Sequence, residues 1–187
     1  TRFRDYVSAA PYAFSAMRAN EYLSEGAKLM QNLKKKGLKV QSAISNLAAH
    51  GNGHLQKVTY TAHSSEHEVE AHALLLHQGV IPNVQITRQA GADHEWYEPQ
   101  RYWRPKTDLW GTTSIETLAI AGDGAGIFGA EAAAIAGELA ALETAYRAGK
   151  IDELQRDITA GPLLRENNRI CCIRPLLDRL YYPSSEI

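Results

Sequence analysis

A run of glycines between an apolar stretch and an alanine-rich helix constrains this chain more than any other feature. Ile115–Ala121 leads into Gly122-Asp123-Gly124-Ala125-Gly126-Ile127-Phe128-Gly129, and a helix is predicted from Ala130 to about Ala148, ended by Gly149. Apolar strand, glycine turn and helix make up the first half of a nucleotide-binding unit. The glycines let a ligand approach the backbone, and the start of the helix faces it. Gly124-x-Gly126-x-x-Gly129 alone is a weak fingerprint, because a first dinucleotide turn carries an acidic residue about 20 positions on to hold a ribose. Glu143 stands at that distance but falls inside the predicted helix. This is not a standard first βαβ unit.

The rest of the chain reads as mixed α/β. Residues 11–36 follow a helical pattern that starts near Pro11 and stops at Gly37 after Lys34-Lys35-Lys36. Leu38–Val40 is a short strand candidate, and Ser42–Ala49 is ambiguous. His54–Thr61 alternates as a half-buried strand, while the apolar runs Ala73–His77 and Ile115–Ala121 suit strands buried on both faces. Trp96 to Trp110 reads as an aromatic surface excursion, and the last forty or so residues as shorter helices divided at Gly161-Pro162 and Pro175. With 20 basic and 21 acidic residues the net charge is −1, so no charge excess points to nucleic acid. No apolar run reaches the roughly 18–20 residues of a membrane span. The only cysteines are Cys171 and Cys172, too few for a four-cysteine metal or iron–sulfur site, and buried small hydrophobes are their expected role.

All seven histidines fall between His50 and His94. On a helix, His67 and Glu68 would start a zinc-hydrolase pattern, but His72 follows five positions after His67, about 140° away around a helix. The competing reading is a hairpin. His54–Thr61 runs up, His63-Ser64-Ser65-Glu66 turns, and Glu68–His72 returns with Val69, Ala71 and Ala73 on a buried face. A zinc hydrolase built on His67, Glu68 and His72 remains an outsider. A nucleophile elbow at Ala62-His63-Ser64-Ser65-Glu66 lacks both of its glycines.

Two stretches carry a resemblance. Thr113-Ser114 through Ala121-Gly122-Asp123 resembles the late strand and Gly-Asp turn of two-dinucleotide-domain flavoproteins. Ala73 to Gly79-Val80-Ile81-Pro82-Asn83 resembles their other landmark, an apolar strand followed by glycine and Pro-Asn. With the Gly122–Ala130 segment, Leu139-Ala140-Ala141-Leu142 and Ile173-Arg174-Pro175-Leu176-Leu177-Asp178-Arg179-Leu180-Tyr181, the chain is similar to one family from about residue 20 onward. That family comprises the FAD-dependent large subunits of opine oxidases, hydrogen cyanide synthase and amine dehydrogenases of the D-hydroxyproline and sarcosine types.

The resemblance implies a two-dinucleotide-binding-domain flavoprotein of Rossmann-like fold with a helical C-terminal extension. Residues 1–65 would be the remainder of the second nucleotide-binding-type domain, 66–148 the C-terminal part of the FAD-binding domain, and 149–187 the extension. It implies FAD bound by Gly122, Asp123, Gly124, Ala125, Gly126 and Gly79, with Asp123 accepting from the ribityl hydroxyls. The chain, which begins at Thr1, would be the C-terminal half of such a large subunit. The first FAD turn would lie in an N-terminal half, and any 2Fe-2S cluster would need residues outside this chain. The implied reaction is oxidation of an amine, opine or amino acid with onward electron transfer, beside a second flavoprotein subunit. The alternative is a non-catalytic or electron-relay subunit that completes a cofactor site. The implied location is cytoplasmic or peripheral to the inner membrane. No catalytic acid or base stands out.

Overall fold

The computed structural model describes residues 3–77 and 79–183, with the backbone alone at 3, 4, 19 and 20. The chain divides into two compact units, Thr1–Arg4 with Asn20–Gln78, and Asp5–Ala19 with Gly79–Ile187. Helical segments α1 (Phe3–Ala9) and α2 (Ala13–Ala16) alternate with 3-10 turns at Ala10–Tyr12 and Met17–Ala19, and α3 spans Asn20–Lys35. The single helix expected over 11–36 is therefore interrupted, and the interruption coincides with the boundary between the units.

In the first unit α3 stops as the sequence predicts. Gly37 takes φ 75°, which costs a glycine nothing. Its N–H reaches the Lys34 carbonyl (3.0 Å), while Leu38 N–H reaches that of Leu33 (3.1 Å), the paired bonds of a Schellman motif. Leu38–Val40 continues as exposed coil rather than a strand. Strands β1 (Ser45–His50), β2 (Lys57–Ala62) and β3 (Ser65–Glu70) form one antiparallel sheet in that order. The predicted hairpin is present. Ala62 pairs with Ser65 across His63-Ser64, and both turn residues have positive φ (50° and 65°), the signature of a type I′ turn. The burial expected of its return strand is not found. Every β3 residue is exposed, Val69 included, although Val58 directly opposite it on β2 is buried.

Adjacent residues of β3 point to opposite sides of the sheet. His67 stacks on Tyr60 with ring centroids 5.2 Å apart, while Glu68 pairs with Lys57 at 2.8 Å. His72 lies beyond the strand. The metal constellation His67, Glu68, His72 is thus dispersed, and the described residues contain no cluster able to hold a metal.

The run Ala73–His77 is irregular and mostly exposed, not a strand buried on both faces. A strand exists only through its neighbours' hydrogen bonds, and none lies alongside it among the described residues.

The second unit is built from α2, a short helix α4 (Gln85–Gln89), a hairpin of β4 (His94–Tyr97) and β5 (Tyr102–Pro105), and helices α5 (Ala130–Arg147), α6 (Glu153–Cys171) and α7 (Arg174–Leu180). The supposed surface excursion from Trp96 is this hairpin, with Tyr102 and Pro105 buried in the core. Ile115–Ala121 is not a strand either. A single bridge joins Thr112 to Ala119, Thr113 N–H and hydroxyl both reach the Leu118 carbonyl, and Ser114 Oγ accepts from Asp93 N–H at 2.8 Å. The Thr-Ser pair closes a loop rather than feeding a sheet.

Helix α5 matches its predicted span. It packs against α6, and its Ala132, Ile135 and Leu139 are buried, as are Ala160 and Ile170 of α6. Helix α6 runs uninterrupted through Gly161-Pro162, contrary to the break expected there. Asp152 caps its start, with Oδ1 accepting from Gln155 N–H at 2.7 Å. Two buried carboxylates fasten the unit: Glu143 joins α5 to α6, and Asp178 joins α7 to the hairpin. No helix among the described residues is long and apolar enough to cross a membrane. The fold is mixed helix and sheet as expected, with both sheets antiparallel.

Candidate functional site

The glycine segment folds into a 3-10 turn over Gly122–Gly124 followed by an irregular approach to α5. Gly122 has φ 70°, and a side chain there would press on Ala133 Cβ at 3.3 Å. A Cβ on Gly124 would lie 2.9 Å from Ile120 Cδ1, and one on Gly126 would lie 2.6 Å from Phe128 Cε2. A side chain at any of the three would therefore crowd the turn's own packing. The N–H groups of Ala125 and Gly126 both turn inward to the Gly122 carbonyl, at 2.9 and 3.3 Å.

Gly129, φ 100°, stands at the cap position before helix α5, which has no side-chain cap. Asp123 does not cap it; it sits exposed on the 3-10 turn. The start of α5 presents N–H groups without intrahelical partners, and its dipole favours negative charge in front by about 0.3–2 kcal/mol.

Above this turn opens a cleft of about 370 Å³. Gly122, Ala125, Gly126 and Gly129 form one wall, and Ala132, Ala133, Ala136 and Leu139 of α5 continue it. Glu95 and Arg104 of the hairpin line it as well. Of the residues read from the sequence, Gly122, Ala125 and Gly126 line the cleft. Asp123 and Gly124 belong to the same turn without lining it, and Gly79 lies outside it. The two resembling landmarks do meet. The Asn83 carbonyl oxygen is 4.0 Å from where a Cβ on Gly124 would be.

Sequence reasoning missed the hairpin's contribution. Glu95 pairs across the strands with Arg104, and Tyr97 with Tyr102, so these four side chains share one face. The Tyr102 hydroxyl accepts from Ile127 N–H at 3.3 Å, which ties that face to the glycine turn. Arg104 donates from Nε and Nη2 to Glu95 Oε1 (2.8 and 2.7 Å), with its guanidinium 4.4 Å over the Tyr97 ring. The signal was present as Glu95-Trp96-Tyr97 and Tyr102-Trp103-Arg104 flanking a four-residue turn. Aromatic residues on both faces hid the alternation.

Tyr97 donates its hydroxyl to Asp178 Oδ2 at 2.7 Å, and Arg174 holds the other carboxylate oxygen. Burial first, and then the hydrogen bond to Asp178, push the Tyr97 phenol well above its ordinary range. A phenol whose folded-state pKa is raised stabilises the fold fully below its unfolded value, about 10, and loses that contribution as pH rises past it. Tyr97→Phe should therefore be less stable than the parent at neutral pH, with the gap narrowing above about pH 10. Denaturant midpoints measured from neutral to strongly alkaline pH test this, and a constant gap would exclude the titration. Cys171 also lines the cleft, with its thiol pushed up by burial, and both cysteines are half-buried rather than buried.

Fold and cleft together describe a mixed α/β chain with a glycine-turn pocket beside a helix start. Comparison with known proteins supplies the family. The chain is 34% identical over 164 residues to the A subunit of opine oxidase from Rhizobium meliloti, covering 88% of this chain and 31% of that protein. It is 32% identical over 162 residues to the A subunit of opine oxidase from Agrobacterium tumefaciens (strain Ach5), covering 87% and 32%. It is also 32% identical over 126 residues to the HcnB subunit of hydrogen cyanide synthase from Pseudomonas aeruginosa, covering 63% and 27%. The chain belongs to this family of opine oxidase A and HcnB subunits, and spans about a third of its relatives' length. No family model and no solved structure matches it.

Proposed function

We propose that this chain is the C-terminal, flavin-binding segment of an oxidoreductase large subunit that oxidises an amine, opine or amino acid and passes the electrons to an acceptor. The observation that carries the reading is the cleft itself. Its size falls in the roughly 300–1,000 Å³ range of small-molecule pockets, at the end that suits a ring system rather than a whole dinucleotide. Glycines and alanines make one wall smooth enough for a flat ring to reach van der Waals contact. The kinship with the opine oxidase A subunits supports the substrate class, and the resemblance to two-domain flavoproteins supports FAD in a Rossmann-like frame.

When bound, the flavin would supply hydride acceptance from the carbon bearing the amine. This chain's residues would hold and polarise it. Gly122, Ala125 and Gly126 line the ring's bed, Gly124 keeps the turn tight, Gly79 precedes the Pro82-Asn83 segment that abuts it, and exposed Asp123 accepts from the sugar-type hydroxyls. The start of α5 favours charge that develops on reduction, by an amount that tunes the flavin without deciding the reaction. An N-terminal half with the first FAD turn and a second flavoprotein subunit complete the enzyme in this reading.

The test uses the assembled flavoprotein. Asp123→Ala should release FAD several-fold more readily on dialysis while its circular dichroism stays that of the parent. Full flavin retention in that variant removes Asp123 from the site, and a parent complex without flavin removes the reading altogether.

A further inference from the structure

We propose that Arg104 is the cation that sets the reduction potential of the ring seated in this cleft; the proposal rests on the flavin reading above. Arg104 lines the same 370 Å³ cleft as Gly122, Ala125 and Gly126, so a group that fills it touches both walls. The hairpin face that bears Arg104 is fastened to the glycine turn through Tyr102 and Ile127 N–H. Arg104 is also held in place. Glu95 engages Nε and Nη2, and the Tyr97 ring lies 4.4 Å beneath the guanidinium. That leaves two N–H groups on the remaining terminal nitrogen, carried by a rigid fork.

Charge and polarity in the cleft agree with this role. The apolar lining from Pro105, Leu109, Ile120, Phe128 and Leu139 suits a flat, mostly apolar ring. Glu95 pairs with Arg104, and Asp108 Oδ1 accepts from the N–H groups of Trp110 and Thr112 at 2.9 and 2.8 Å. The lining thus sets one cation against two carboxylates, so removing Arg104 would leave only negative charge beside the ring. Arg104 is the cation on the cleft's wall for the negative charge that reduction places on the ring's pyrimidine edge. A cation within a few ångströms of that edge favours the reduced form in a partly desolvated site.

The experiment measures the midpoint potential of the flavin in the assembled holoprotein, spectroelectrochemically at pH 7. Arg104→Gln should lose affinity for the reduced flavin roughly tenfold relative to the oxidised form, a shift of about 30 mV to more negative potential for a two-electron couple. Arg104→Lys should recover part of that shift, and Glu95→Gln should move the potential the opposite way. Should Arg104→Gln fail to retain flavin, Glu95→Gln decides, and a potential that does not rise overturns the proposal. Unchanged potentials in flavin-replete Arg104→Gln also overturn it while leaving the flavin reading intact. A parent complex without flavin fails that earlier reading instead.

Discussion

Replacing Glu143 with alanine should cost the folded state roughly 3 kcal/mol. Glu143 is buried on α5 and carries two partners: Oε1 accepts from Arg147 Nε at 2.7 Å and Oε2 from Arg156 Nη1 at 2.8 Å. Arg156 comes from α6, and its guanidinium lies 4.5 Å from the ring centroids of both Trp110 and Tyr146. Without Glu143 that guanidinium keeps only Asp157 and Glu153, both of them largely exposed. The loss therefore exceeds the 0–1 kcal/mol of an exposed pair. Added salt should change it little, because burial limits screening. Glu143→Gln retains an acceptor and should lose less. A denaturant midpoint shift at constant m-value measures the effect. A loss below about 1 kcal/mol would assign the fastening of α5 to α6 to apolar packing alone.

Gly111→Ala should be comparably severe, and for a different reason. Gly111 has φ 78°, a conformation that costs an L-residue about 1–2 kcal/mol. A Cβ there would also run into the carbonyl oxygen of Ile120, which is backbone and cannot rotate away. The two segments of this pinch are joined where Ile120 N–H donates to the Gly111 carbonyl at 2.8 Å. Forcing them apart displaces the residues that lead into Gly122, so stability and flavin content should fall together. Gly149→Ala separates the two causes. Its φ is 65° but the space beside it is open, so it should lose only the conformational part. Equal losses in the two variants would remove the steric argument.

What could be read from the residues divides along a physical line. Helix α5 was legible because its alanines and bounding glycines act within a few turns of chain. The β2–β3 hairpin was legible from alternation, although His63 and Ser64 supply its turn in place of Asn-Gly. The runs at 73–77 and 115–121 read as strands because they are apolar, yet strand formation depends on partners that local sequence does not encode. Pro162 read as a break. In α6 it costs one intrahelical bond, and packing around buried Ala160 keeps the helix whole. Of the site, the small-residue wall was visible in the sequence. Arg104 was not, because its placement depends on cross-strand pairing with Glu95 and on the fastening of Tyr102 to Ile127.

The exposed strand β3 has a consequence for how the chain behaves in a crowded solution. Glu66, Glu68 and Glu70 stand on one face of that strand, and Lys57 pairs with Glu68 among the described residues. Two copies that met edge to edge along β3 would line up both sets of carboxylates and repel. Growth of the sheet by self-addition is penalised on this side from the first encounter. The opposite edge, β1, carries no acid or lysine and relies on the irregular register between Ser45 and Ala48 to spoil a straight ladder. Repulsion guards one border of the sheet and misalignment guards the other, so fibrillar stacking is discouraged by two unrelated means.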